Sequence, residues 1–162
     1  MFKEIAIAAA IVAICLVVHV TGILLMAEWL LTRREYFERN VTRLHFGLLI
    51  ISLFSGVLFL HLIQTALWPL FYYMQGLFSD LETSLYFSMV SFATIGYGDV
   101  LLPRTWRLLG VVEGFSGVIL CGISTAFIFA VVNAMLQLRL QRRAKQPVRT
   151  DSFQPTAGGL RS

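Results

Sequence analysis

The segment TIGYG, residues 94–98, combines residue types that suit the binding of a dehydrated cation. Gly96 and Gly98 can adopt the positive φ angles that other residues resist. Where such residues alternate with ordinary ones, successive carbonyl groups can turn to one side of the chain. The carbonyls of Thr94, Ile95, Gly96 and Tyr97 would then form a column of oxygens, with the Thr94 hydroxyl at its inner end. Neutral oxygens suit hard cations and, unlike carboxylates, hold a monovalent ion without trapping it.

The composition places this segment in an integral membrane protein. Of the 162 residues, 57% are hydrophobic and 14% are charged, whereas a soluble domain carries about 25% charged residues. The net charge of +4 comes from short clusters at helix ends, without a basic face for nucleic acid. We find no nucleophile paired with a base, no metal cluster and no phosphate loop, so we expect no enzymatic activity. Cys15 and Cys121 lie in apolar runs and are expected to be buried.

Three apolar segments are long enough to cross a bilayer, which takes about 20 helical residues. They run over Ile5–Leu31, over Leu44–Leu67 with Trp68-Pro69 at the end, and over Trp106–Leu138. The first exceeds the core of a secretory signal, about 7–15 residues, so we interpret it as a span. The fold class is therefore all-α integral membrane, with three transmembrane helices.

A shorter apolar piece, Leu81–Ala93, lies between the second and third spans. It follows the sequence SDLE, in which Ser79 is predicted to cap the helix while Glu82 reaches back. A helix this short cannot span, so we predict a re-entrant loop: a half-length helix, the irregular TIGYG stretch, and a return through Pro103. Such irregular backbone is tolerated only where it is buried in protein or lines a water-filled cavity.

Basic residues orient the chain. The connector between the first two spans and the stretch after the third are both basic, so both are predicted to be cytoplasmic. The N-terminus and the re-entrant loop then face outward, and Asp80, Glu82 and Asp99 would concentrate cations at the outer mouth. The basic stretch is either a plain topology signal or a contact for anionic lipid headgroups, through Arg139, Arg142, Arg143 and Lys145. We expect a multi-pass protein of the cell membrane.

One chain supplies only one column of oxygens, so a closed ring requires several identical subunits. A cyclic homo-oligomer in the membrane follows.

The hexapeptide Thr94–Asp99, set between two spans and behind a short helix, resembles the pore domain of potassium channels. The resemblance covers Leu44–Leu138. It implies a homotetramer in which the second span is the outer helix, the short helix is the pore helix, TIGYG is the selectivity filter, and the third span is the inner helix. Potassium ions would bind at Thr94, Ile95, Gly96 and Tyr97. Three regions follow: residues 1–43 (an extra helix and basic connector), 44–138 (the pore domain) and 139–162 (a basic tail expected to be disordered).

The resemblance also implies roles for residues around the filter. Gly117 and Gly122 of the inner helix would allow close packing and bending, although small residues often merely permit helix packing. Ser124 and Thr125 would lie near the cavity. Four positions would support the filter: Tyr86, Phe87, Val90 and Ala93. Tyr86, Phe87 and Ala93 depart from the commonest family pattern, whereas at the position of Val90 some members carry a glutamate and others an apolar residue. Of these, Tyr86 can still bond Asp99, whereas Phe87 can only pack on Tyr97.

Three ionisable residues within the spans have competing interpretations. Glu113 is either a gating or filter-bracing group, or a hydrogen-bonded glutamate between helices. His19 and His61 are either pH sensors or neutral, hydrogen-bonded histidines.

We therefore predict a potassium-selective channel. Two alternatives stay open: a weakly selective monovalent cation channel of the same fold, and a non-conducting membrane subunit that modulates a partner.

Overall fold

The computed structural model describes residues 2–33 and 43–145, and in these ranges the regular structure is helical. The described residues form four helices: α1 (Phe2–Thr32), α2 (Arg43–Met74), α3 (Leu81–Phe92) and α4 (Arg107–Lys145). The connector residues 34–42 and the tail from Gln146 lie outside the described residues, as do the side chains of Arg142, Arg143 and Lys145.

Three of these helices are long and apolar enough to cross a membrane. The candidate spans are Phe2–Thr32, Leu44–Met74 and Arg107–Gln141. The three predicted spans are thus confirmed, and the protein is a multi-pass membrane protein. The many exposed leucine, isoleucine and phenylalanine side chains along α1 and α2 suit contact with lipid.

The predicted end of the second span is wrong. Trp68 and Pro69 do not end α2, which continues to Met74 with the proline inside it. Pro69 has no N–H, so the carbonyl of Thr65 loses its partner in the helix. The hydroxyl of Ser88 on α3 lies 3.4 Å from that carbonyl oxygen and can replace the missing donor. Packing against a neighbouring helix therefore lets α2 pass through its proline.

The predicted cap of the short helix is also wrong by one residue. Asp80, not Ser79, is the N-cap of α3, with its carboxylate accepting a bond from the Thr83 amide at 2.6 Å. Ser79 instead donates its hydroxyl to the Asp80 carboxylate at 2.7 Å. A carboxylate is favoured at this position because it meets both the unpaired amides and the positive end of the helix dipole.

The additional helix α1 packs on both α2 and α4. Small residues bring α1 and α2 close: a Cβ atom on Gly22 would lie 2.4 Å from Leu60, and one on Gly56 would lie 2.9 Å from Met26. Such close approach is typical of helix pairs in membranes. The short helix α3 likewise packs on α2 and α4, so α4 is held from two sides.

The expectation of two buried cysteines holds only for Cys15. Cys121 is exposed, because it lies at the edge of the α4 face that a single chain leaves uncovered.

Candidate functional site

The TIGYG segment follows directly from the C-terminus of α3. Ala93 is the C-cap of the helix, and its amide donates back to the Met89 carbonyl at 3.0 Å. Beyond it, φ is positive at alternate residues: 58° at Thr94, 60° at Gly96 and 78° at Gly98. The positive angles expected for the two glycines are present. The one at Thr94 was not expected, since a β-branched residue rarely adopts it.

The amides of the segment point back to α3. Ile95 and Gly96 both donate their N–H groups to the Val90 carbonyl, at 2.9 and 3.3 Å. In a planar trans peptide the N–H points opposite to the carbonyl of the preceding residue, and the described peptide bonds are trans. The carbonyls of Thr94 and Ile95 therefore point away from α3.

The side chains of the segment are not covered within one chain. Ile95 is 53% exposed and Tyr97 is 69% exposed. Both side chains are therefore accessible to a further protein surface.

A groove of about 590 Å³ lies next to the TIGYG segment. It lies between the TIGYG segment and α4, and Thr94, Gly96 and Gly98 form part of its lining with Phe115 and Val118 of α4. Phe115 and Val118 are exposed apolar residues, so this face is open to a further protein surface.

Glycines bring α4 against the end of α3. A Cβ atom on Gly114 would lie 2.9 Å from the Ser91 carbonyl oxygen, and one on Gly117 would lie 2.3 Å from that of Phe92. Gly117 thus has the close packing expected of it, while its bending stays a prediction. At Gly122 a Cβ would meet no described atom within 4 Å. Gly114 was missed, although its spacing from Gly117 places the two on one helix face.

The Phe87 ring of α3 packs against other aromatic rings of the described chain rather than against Tyr97. Its ring centroid lies 5.6 Å from that of Tyr72 and 5.2 Å from that of Phe78. Gly110 leaves space for it, because a Cβ there would lie 2.9 Å from the ring. Phe87 thus belongs to the core that holds α3, the helix from which the segment follows.

Asp99 directly follows the TIGYG segment, and Asp80 and Glu82 lie at the N-terminus of α3. The predicted bond between Tyr86 and Asp99 is present at 2.7 Å, and it holds the pKa of Asp99 below its usual range and raises the pKa of the Tyr86 hydroxyl. The Thr83 amide, followed by the Ser79 hydroxyl, lowers the pKa of Asp80. Both aspartates are therefore charged at neutral pH, and the side chain of Glu82 is exposed.

Glu113 lies between three helices and is fully buried. Its carboxyl oxygens are partnered by the Tyr72 hydroxyl of α2, at 2.8 Å, and by the Ser88 hydroxyl of α3. It is thus a hydrogen-bonded glutamate between helices, and a gating role stays a prediction. Tyr72 and Ser88 were missed, since no local pattern marks partners 41 and 25 residues away.

Ser124 does not lie where the resemblance implied. It is 3% exposed, and its hydroxyl lies 3.0 Å from His19 Nε2 and 3.1 Å from His61 Nε2. Gln64 completes the cluster, 2.8 Å from His19 Nδ1. Ser124 therefore joins α4 to α1 and α2 rather than lining a cavity. Thr125, the next residue of α4, is exposed.

Near the far end of α4, the Arg139 guanidinium lies over the Phe46 ring of α2, 4.1 Å from its centroid. Contacts with lipid headgroups at Arg139 stay a prediction.

Three apolar spans, a short helix that ends in the TIGYG segment, and a face left open for further protein are features of a membrane ion channel. A family model described as "Ion channel" matches residues 47–134, more than half of the chain. The chain therefore belongs to this two-span potassium-channel pore family. No curated protein and no solved structure matches it significantly.

Proposed function

We propose that four copies of this chain form a potassium-selective channel, with the TIGYG segments surrounding its axis as the filter. The backbone at Thr94–Gly98 carries this proposal. Its alternating positive φ angles and its amides turned toward α3 leave carbonyl oxygens free to face an axis. A ring of such oxygens can replace the hydration shell of a potassium ion.

The open face of the chain supports the assembly. Ile95 and Tyr97 are exposed beside a groove lined by apolar residues of α4. A second copy is the natural occupant, since a filter needs its neighbours at this face and a closed ring satisfies every subunit equally. In the tetramer α4 lines the cavity, with Gly122 and Thr125 on its uncovered side.

The ion path then has a direction. Asp80, Glu82 and Asp99 surround the outer mouth and attract cations, while the C-terminal end of α3 presents the negative end of its dipole to the cavity. The short helix and the TIGYG segment form a re-entrant loop that opens outward. The N-terminus lies outside, and the basic tail is cytoplasmic, where it meets anionic lipid headgroups.

Two glycine substitutions test the proposal, because both positions have positive φ and open space for a Cβ. Gly96 has φ 60° and Gly76, in the loop before α3, has φ 63°, with no described atom within 4 Å of either added Cβ. An alanine at either site suffers similar backbone strain of about 1–2 kcal/mol. Only the alanine at Gly96 should disturb the column of carbonyls.

The measurement is the permeability ratio of potassium to sodium in liposomes. We expect Gly76→Ala to keep the ratio of the wild type and Gly96→Ala to lose it, together with Tyr97→Ala. Equal ratios in all four proteins would contradict the filter. A low ratio already in the wild type would indicate a weakly selective cation channel. Absence of flux, with an altered current from a co-expressed channel, would indicate a modulatory subunit.

A further inference from the structure

A chain of polar side chains joins α2, α3 and α4 behind the TIGYG segment. Glu113 of α4 is partnered by Tyr72 of α2 and by Ser88 of α3. The Ser88 hydroxyl also approaches the Thr65 carbonyl of α2 at 3.4 Å. We propose that Glu113 and Ser88 are positioning residues, which hold α3 in place as a neutral brace and thereby set the ion affinity of the filter. This inference rests on the proposed function.

The brace begins with the proline inside α2. A helix carbonyl normally accepts from the amide four residues later, and for Thr65 that residue is Pro69, which has no N–H. A buried carbonyl without a partner is costly. Ser88 lies opposite this gap and is itself fully buried. The proline of α2 and the serine of α3 are therefore complementary, and the missing donor ties one helix to the other.

Counting hydrogens shows which form of the brace satisfies every group. A serine hydroxyl has one hydrogen, so Ser88 cannot donate to Thr65 and to Glu113 at once. If the Glu113 carboxyl carries a proton, it donates to Ser88, Ser88 donates to Thr65, and Tyr72 donates to the second Glu113 oxygen. The hydroxyls of Tyr72 and Ser88 carry no charge, and an ionised carboxylate buried without a cation is costly. The brace is therefore a chain of neutral hydrogen bonds.

The brace lies close to the groups that hold the filter. Ser88 is two residues before Val90, whose carbonyl accepts the amides of Ile95 and Gly96. Gly114, next to Glu113, packs on the Ser91 carbonyl of α3. A shift of α3 at Ser88 therefore moves the Val90 carbonyl and the segment attached to it.

Two substitutions at Glu113 separate a neutral brace from a charged one. Glu113→Gln keeps the shape: its amide donates to Ser88 and its oxygen accepts from Tyr72. Glu113→Leu removes both the donor to Ser88 and the acceptor for Tyr72. We expect the potassium dissociation constant of the purified full-length protein, measured by calorimetry in choline chloride, to stay within about twofold of wild type for Glu113→Gln. For Glu113→Leu we expect it to rise about tenfold, because without the brace α3 holds the filter in its binding geometry for only about a tenth of the time.

A second pair tests the link to the proline. Ser88→Ala should weaken potassium binding about tenfold in the wild-type background. Pro69→Ala gives Thr65 a backbone donor again, so in that background Ser88→Ala should cost only about threefold. Ser84→Ala is the matched control, since this serine is equally buried on α3 but bonds the Asp80 carbonyl of its own helix at 3.0 Å. It should leave potassium affinity within about twofold of wild type.

If Glu113→Gln weakens binding as much as Glu113→Leu, the neutral brace is wrong. If Ser88→Ala weakens potassium binding equally with Pro69 and with alanine at position 69, the link between Ser88 and Pro69 is wrong. This comparison does not depend on whether Glu113→Leu folds. If the wild type binds no potassium, the proposed function fails instead. The thermal stabilities of the same variants, expected in the same order, then still test the brace.

Discussion

Alanine at Gly117 should force α4 away from α3, since a Cβ there would lie 2.3 Å from the carbonyl oxygen of Phe92. That is about 1 Å short of the 3.4 Å at which ordinary contact begins. The obstacle is a backbone atom at the end of a helix, so it cannot rotate out of the way as a side chain would. One of the two helices has to move.

The size of the effect follows from two opposing contributions. Overpacking of this kind costs about 1–3 kcal/mol, whereas replacing a glycine inside a helix by alanine gains up to about 1 kcal/mol. We expect a net loss of about 1–2 kcal/mol of unfolding free energy. For a chain of this length that corresponds to a fall in Tm of about 2–8 °C. The displacement also reaches the TIGYG segment, two residues beyond Phe92, so potassium selectivity should fall as well.

The assay is thermal unfolding of the purified protein in detergent, combined with potassium and sodium flux in liposomes. Gly122→Ala is the control on the same helix, because no described atom lies within 4 Å of its added Cβ. Its Tm should equal or exceed that of the wild type. If Gly117→Ala unfolds at the same temperature as Gly122→Ala and keeps full selectivity, the close contact between α3 and α4 does not govern the filter.

Three further substitutions test single contacts. Tyr86→Phe removes the donor to Asp99, so the pKa of Asp99 should rise toward its ordinary value in a carbon-13 NMR titration. Because that pKa is lowered in the folded chain, the contact stabilises the protein above the ordinary aspartate range and the benefit is lost as the pH falls below it. Ser124→Ala deprives two histidine rings of their shared partner and should cost about 1–3 kcal/mol, seen as a lower Tm. Asp80→Ala should lower the Tm more than Ser79→Ala, since Asp80 caps α3.

Each of these has a result that contradicts it. The Tyr86→Phe variant should match the wild-type Tm at acid pH, and a constant difference at every pH would exclude the contact with Asp99 as its cause. Thr125→Ala is the control for Ser124, because the Thr125 hydroxyl bonds only its own helix among the contacts described. Equal losses at the two sites would mean that the histidine cluster does not hold α1. An equal fall in Tm for Asp80→Ala and Ser79→Ala would contradict the assignment of Asp80, rather than Ser79, as the cap of α3.

The spans were predictable because length and hydropathy alone decide whether a helix can cross a bilayer. The short helix was also predictable: Leu81–Ala93 was expected and Leu81–Phe92 is present, since the apolar run ends where the glycine-rich segment begins. The positive φ of Gly96 and Gly98 followed from their missing side chains.

The errors arose where a distant part of the chain decides the outcome. Pro69 indicated a helix end, and α2 continues because Ser88 of another helix supplies the lost donor. Ser124 was expected at a cavity, but α1 covers that face of α4 through His19. Sequence spacing gives the faces of a helix and does not tell which face an added helix will cover.

The reversal potential of the wild-type protein in planar bilayers tests the central claim most directly. One compartment holds ten times the potassium concentration of the other, and sodium makes the total cation concentration equal on both sides. Under these conditions the current through a potassium-selective pore should reverse at about 59 mV. The compartment with more potassium should be negative at the reversal potential, because this polarity opposes the net flow of potassium out of it. A reversal potential near zero would show that the oxygens of the TIGYG segment do not distinguish potassium from sodium, and would contradict the account.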